Sequence, residues 1–199
     1  MKTLFQQASQ MINEKHEELA RLTIEHQYKI QPALWKPADK AQYSYSLRDA
    51  GYHFSYLSQA LSAEDNILFL DYVSWVKVLF AGLHFSPSVL TTTLECMDMA
   101  IREILPTEVA VVAGDYVNTA IQHLRYSPVS VNSFLLPEAP FFELANRYFE
   151  SLLAGDRHSA SALIMEAVNQ GVSVRDIYLH VFQPCQQEVG RLWQMNKVS

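Results

Sequence analysis

The chain has 199 residues, 49% of them apolar, and a formal net charge of −6; this suffices for one large or two small cores and excludes a wholly disordered chain. Acidic residues are in excess throughout, 15 against 10 basic over 1–142 and 6 against 5 over 143–199, so neither part offers phosphates a basic face and direct nucleic-acid binding is not expected. Cys96 and Cys185 form no C-x-x-C pair, the N-terminus lacks the apolar run of a signal peptide, and the richest apolar window, Val73 to Phe85, is broken by Ser74, Lys77 and His84, which together predict a cytoplasmic protein with no membrane span.

The apolar period is helical almost everywhere. Leu4, Ala8, Met11, Ile12, Leu19 and Leu22 predict one long first helix, closed by Pro32 and Pro37. Leu47, Ala50, Phe54, Leu57 and Leu61 form the seam of a second. Ser62 and Asp65 offer caps to a third, Ile67 to about Gly82, whose apolar residues nearly surround it and which is expected to be central. Ser86-Pro87 opens a fourth helix and Thr107 a fifth, ending near Arg125. Tyr126 to Pro140 then holds three prolines and one charge, Glu138, the clearest boundary in the chain.

Beyond it, Leu144, Ala145, Tyr148, Leu152 and Leu153 make an apolar stripe that Gly155 can terminate, and Asp156 can cap the next helix. Ala160, Leu163, Ile164, Ala167 and Val168 face inward from that helix, which Gly171 stops. Ser173 and Asp176 resemble a capping box for a last helix that Pro184 kinks or ends, with Val189, Leu192 and Trp193 continuing an apolar face. No strand pair or hairpin signal occurs. The expectation is an all-α protein: a five-helix domain over 1–126, a Pro-rich linker over 127–140, and an incomplete four-helix bundle over 141–199 whose open side still lacks a partner helix.

The landmarks of this last segment, with Pro184, Glu188, Val189, Gly190, Leu192 and Trp193 in order, resemble the helical cap that precedes the corrinoid domain in methionine synthase, methyltransferase corrinoid proteins and light-responsive cobalamin regulators. The resemblance implies that Trp193, with Val189 beside it, lies over the upper corrin face and shields the cobalt–carbon bond. Cys185 and Met195-Asn196 depart from the family's usual small residue and glycine-containing turn. The family's next helix with its Glu-His pair, and the Rossmann-like domain whose Asp-x-His-x-x-Gly segment supplies the lower cobalt ligand, do not occur in these 199 residues. The chain therefore reads as an N-terminal piece of a longer protein that would hold cobalamin only when intact.

Other residues carry weaker signals. Glu188 reads as a solvated or helix-pairing charge and Cys185 as a small buried hydrophobe. His16, His26, His53, His84, His123, His158 and His180 include no pair three or four apart, so no protein-built metal site is indicated. Tyr52, His53, Trp75 and His84, in an aromatic-rich stretch, either line a pocket for a flat ligand such as a tetrapyrrole or pack a core and a dimer interface. A helical domain ahead of such a cap resembles sensor organisation. The functional expectation is a cobalamin-binding regulatory or photosensory homo-oligomer rather than an enzyme. The alternatives are a corrinoid carrier in methyl transfer and a ligand-free helical interaction module.

Overall fold

The computed structural model describes residues 2–34 and 40–198. Among them every regular element is helical, and residue contacts divide the chain into two compact units, Met1–Val129 and Ser130–Ser199. Pro37, expected to help close the first helix, lies outside the described residues.

The first unit has six α-helices rather than five: α1 (Leu4–Glu14), α2 (His16–Ile30), α3 (Lys40–Ala63), α4 (Ile67–Gly82), α5 (Ser88–Ile104) and α6 (Thr107–Leu124). The extra helix arises because the predicted first one is broken at Lys15, whose backbone leaves the helical region at φ −104° and ψ 13°. The break lets the two halves pack differently. Helix α1, which buries Ala8 and Ile12, packs on α3 and α6, whereas α2, which buries Leu19, Ala20 and Ile24, packs on α3 and α5. The N-terminus of α1 carries a full capping box in which Thr3 and Gln6 each bond the other's backbone amide at 3.2 Å.

Helices α3, α5 and α6 supply most of the remaining core, with Phe54, Leu57, Leu61, Leu94, Met97, Ile101 and Val117 fully enclosed. Helix α4 is not the central helix its composition suggested. Phe69, Val73, Val76 and Val78 are buried, while Ile67, Leu68 and Trp75 are exposed. An all-apolar helix is covered on every side only if neighbours surround it, and here α3 and α6 take one side. Its Lys77 ammonium donates to the carbonyls of Leu124 at 2.6 Å and Ser127 at 2.5 Å, satisfying orphan groups at the end of α6.

The second unit comprises α7 (Phe142–Leu153), α8 (Arg157–Asn169), α9 (Val174–Ile177) and α10 (Gln183–Gln194), the last two joined by a π-turn at Tyr178–Phe182. Gly155 and Gly171 end α7 and α8 at φ +68° and +91°, a region that costs residues bearing a Cβ. Asp156 caps α8 by accepting from the Ser159 amide at 3.0 Å, and Ser173 caps α9 by accepting from the Asp176 amide at 3.1 Å. The core is small: Ala145, Phe149, Ile177, Val181 and Cys185, with Leu135 of the Pro-rich stretch packed against it. Phe149 takes the inward place anticipated for Leu153, which is 48% exposed, and Val168 of α8 also faces out.

Phe54→Ala should lower the unfolding free energy of the first unit by about 3 to 5 kcal/mol in urea titrations, because a fully enclosed ring leaves a cavity. Tyr126→Ser, at an 88% exposed position, should change it by under about 0.5 kcal/mol.

Candidate functional site

The site is built on α10, and its placement begins with Pro184. A proline inside a helix has no amide to donate and its ring crowds the carbonyl four residues back. Here the helix neither ends nor breaks. The preceding turn widens to a π-turn in which the Gln183 amide donates to the Tyr178 carbonyl, so the chain stays helical past Pro184.

Two side chains then fasten α10. Cys185 is fully buried and its thiol donates to the Ala145 carbonyl of α7 at 3.3 Å; burial pushes that thiol up to about 11, Glu188 adding to the effect, so it is a packing group rather than a nucleophile. Glu188 is not solvated. It is 4% exposed, and Arg191 grips it through two bonds, Nε to Oε2 at 2.9 Å and Nη2 to Oε1 at 2.5 Å.

The same carboxylate accepts from the Phe134 amide at 2.9 Å, and Arg191 Nη1 donates to the Val131 carbonyl at 3.1 Å. The pair thus ties residues 131–134 to α10. Burial alone would raise the Glu188 carboxyl, but the Arg191 guanidinium and the Phe134 amide outweigh it and hold the group below its ordinary value. Arg191 was not singled out from the sequence, although a basic residue three positions after a glutamate on a helix is a recognisable pairing signal.

The C-terminus of α10 is closed by a left-handed residue. Asn196, at φ +55°, takes the position glycine often holds; its amide donates to the Trp193 carbonyl at 2.9 Å and the Lys197 amide to Leu192 at 2.8 Å. The substitution of asparagine for glycine is therefore accommodated, since asparagine tolerates this conformation better than most residues.

Between these anchors lies an open face. Trp193 is 53% exposed, and one turn earlier a Cβ built on Gly190 would meet nothing within 4 Å. Positions 190 and 193 share a side of the helix. Val189 is half-buried against the small core below. A mid-helix glycine costs about 1 kcal/mol relative to alanine, and here no neighbour in the fold requires it. An exposed indole beside a bare stretch of backbone suits the close approach of a large flat apolar ligand.

Residues 144–199 match the family model of the B12 binding domain. The matched segment contains α10 and its open face, so this unit carries the sequence character of a cobalamin-binding helical domain. No curated protein and no solved structure matches the chain.

The aromatic set of the first unit is dispersed. His53 is buried on α3, its Nδ1 2.7 Å from the Tyr72 hydroxyl, and it lines a pocket of about 390 Å3. Tyr52 lines a separate shallow groove beside His16 and Gly51. Trp75 is 40% exposed on α4. His84, at φ +61°, ends α4, where its amide and that of Phe85 bond back to the Ala81 and Phe80 carbonyls. His16, His26 and His123 each hydrogen-bond within the unit, to Gly51, Glu103 and Ser74. Among the described residues no cluster of His, Cys, Asp or Glu is placed to hold a metal ion, and no helix is long and apolar enough to cross a membrane.

Replacing Arg191 with methionine leaves the Glu188 carboxylate buried without its cation and should destabilise the second unit by about 3 to 5 kcal/mol, whereas a Glu188→Leu/Arg191→Met double variant should recover most of the loss. Since the folded carboxyl titrates below the unfolded one, its contribution is complete above about pH 4.3 and disappears as pH falls through the lower folded value. Urea titrations from pH 7 to 3 should therefore show wild type losing stability relative to the double variant towards the acid end.

Proposed function

We propose that the unit 130–199 is a cobalamin cap in a regulatory or light-sensing protein, with the unit 1–129 serving as its sensory or association domain. The observation that carries the cap reading is the pairing of exposed Trp193 with the open backbone at Gly190 on one face of a helix anchored by Pro184, Cys185 and the Glu188–Arg191 pair. Within the B12 binding domain match, these residues fit a corrin plane. Trp193 would lie against the ring and exclude water from its upper side, offering no competing ligand atom. Gly190 would let the ring approach the helix. Bound cobalamin would supply a cobalt–carbon bond whose state depends on its upper ligand and, for alkyl forms, on light.

One helical face buries only part of so large a ligand. Tight capture therefore needs a second surface, which the resemblance assigns to a Rossmann-like domain carrying the lower cobalt ligand. The regulatory reading rests on the size of the first unit, which has its own core and exposes Ile67, Leu68 and Trp75 on α4, a surface suited to self-association. A corrinoid carrier for methyl transfer uses the same cap, swung aside to admit partner enzymes, and needs no such surface.

Titration with hydroxocobalamin and with cobinamide, which lacks the nucleotide tail, should quench tryptophan emission with a Kd of about 10 µM to 1 mM. The quench should be lost in Trp193→Leu and kept in Trp75→Phe; equal quenching in both variants sinks the cap assignment. With adenosylcobalamin in excess, a light-dependent change in molar mass by light scattering supports the regulator, and an unchanged mass favours the carrier.

A further inference from the structure

The pocket of about 390 Å3 in the first unit has no role in the cap. It lies among α2, α3, α4 and α5, walled by Ile24, Leu79, Leu83 and Val89 and by the rings of Tyr28, Tyr45, Phe80 and Phe85. It is a cleft open to solvent on one side, with the buried side chains of Gln27, His53 and Thr93 in its lining. Its volume falls at the lower end of the range for organic ligands, about 300 to 1,000 Å3, which sets the occupant at one or two fused rings rather than a macrocycle.

The polar groups narrow the chemistry. Gln27, His53 and Thr93 line the pocket and are buried. Gln27 Nε2 donates to Thr93 Oγ1 at 2.9 Å and to the Val89 carbonyl at 3.3 Å, which leaves the amide oxygen as its means of meeting a ligand. His53 is held through Nδ1 by Tyr72, so Nε2 is its remaining atom. Burial lowers this imidazole to about 4, so it is neutral at physiological pH.

Among the described residues that line the pocket there is no lysine or arginine, and Asp49 is the one carboxylate. Asp49 stands 3.6 Å from Arg48 Nε, but both side chains are at least half exposed, and such a pair is weak. Burial pushes the Asp49 carboxyl up further than Arg48 draws it down. The carboxylate is thus partly desolvated, and its partner is a weak, solvent-screened one: Arg48, whose guanidinium also lies 5.2 Å from the centre of the Tyr45 ring. That combination attracts a cation joined to an aromatic body and repels an anion.

We propose that this pocket binds a small aromatic amine, its rings between Tyr28, Phe80 and Phe85 and its ammonium at Asp49. The site is independent of the cap and of whether cobalamin binds there.

Three probes of similar shape separate the contributions: tryptamine, indole and indole-3-acetate, followed on the full chain by ligand-observed saturation-transfer NMR. Tryptamine should bind about tenfold more tightly than indole, and indole-3-acetate should give no signal. Asp49→Asn should reduce tryptamine to the affinity of indole while leaving indole unchanged. Ala41→Phe, at an exposed residue lining the pocket, should remove both. Circular dichroism confirms that the two variants remain folded. Equal binding of the three probes, no binding by any of them, or tryptamine binding that survives both substitutions overturns the proposal.

Discussion

The second unit depends on the grip of Arg191 on the buried carboxylate of Glu188. Its apolar core cluster has five buried members among the described residues, too few to define the position of every helix by packing alone. An ion pair taken out of water is tolerated only when its remaining hydrogen-bonding capacity is satisfied. Here the Phe134 amide and the Val131 carbonyl complete that set. The cost of leaving either charge alone makes the arrangement specific, so residues 131–134 and α10 have one favourable register. The open face at Gly190 and Trp193 inherits that definition because both lie on the same helix within a turn of the pair.

Pro184 contributes from the other end. A proline that stopped the helix would leave Glu188 to Trp193 on a segment free to reorient. The π-turn absorbs the missing donor and the ring's bulk before α10 begins, and the Cys185 thiol then pins the following turn to α7. The landmarks that make the segment similar to a corrinoid cap thus divide by physical role. Pro184 and Glu188 hold the helix, and Cys185, a departure from the family's usual residue, adds a pin to α7. Gly190 and Trp193 form the face it presents.

The first unit is organised by different physics. Its core is large, continuous and apolar across all six helices, so its stability comes from burial rather than from any one polar contact. Such a unit tolerates a pocket with a neutral buried histidine and a weakly paired carboxylate at its edge. It also tolerates an apolar helix, α4, with one side uncovered.

The helical character and the caps of the second unit were legible because they rest on local rules. Periodicity of 3.6 marks helices, prolines interrupt them, and Gly155, Gly171, Asp156 and Ser173 stand where short-range backbone geometry demands them. The candidate face at Trp193 was singled out by its motif spacing. What could not be read locally was which partner each side chain meets. The break at Lys15 follows from α1 and α2 seeking different neighbours, and the exposure of α4 from how many helices surround it. Glu188 lies inside because a carbonyl and an amide about 55 to 60 residues earlier in the chain complete its pairing. His53 and His84 part company for the same reason: one faces a pocket assembled from four helices, while the other is consumed in ending one. Local backbone preference is encoded within a few residues, but burial is a property of what arrives from elsewhere in the chain.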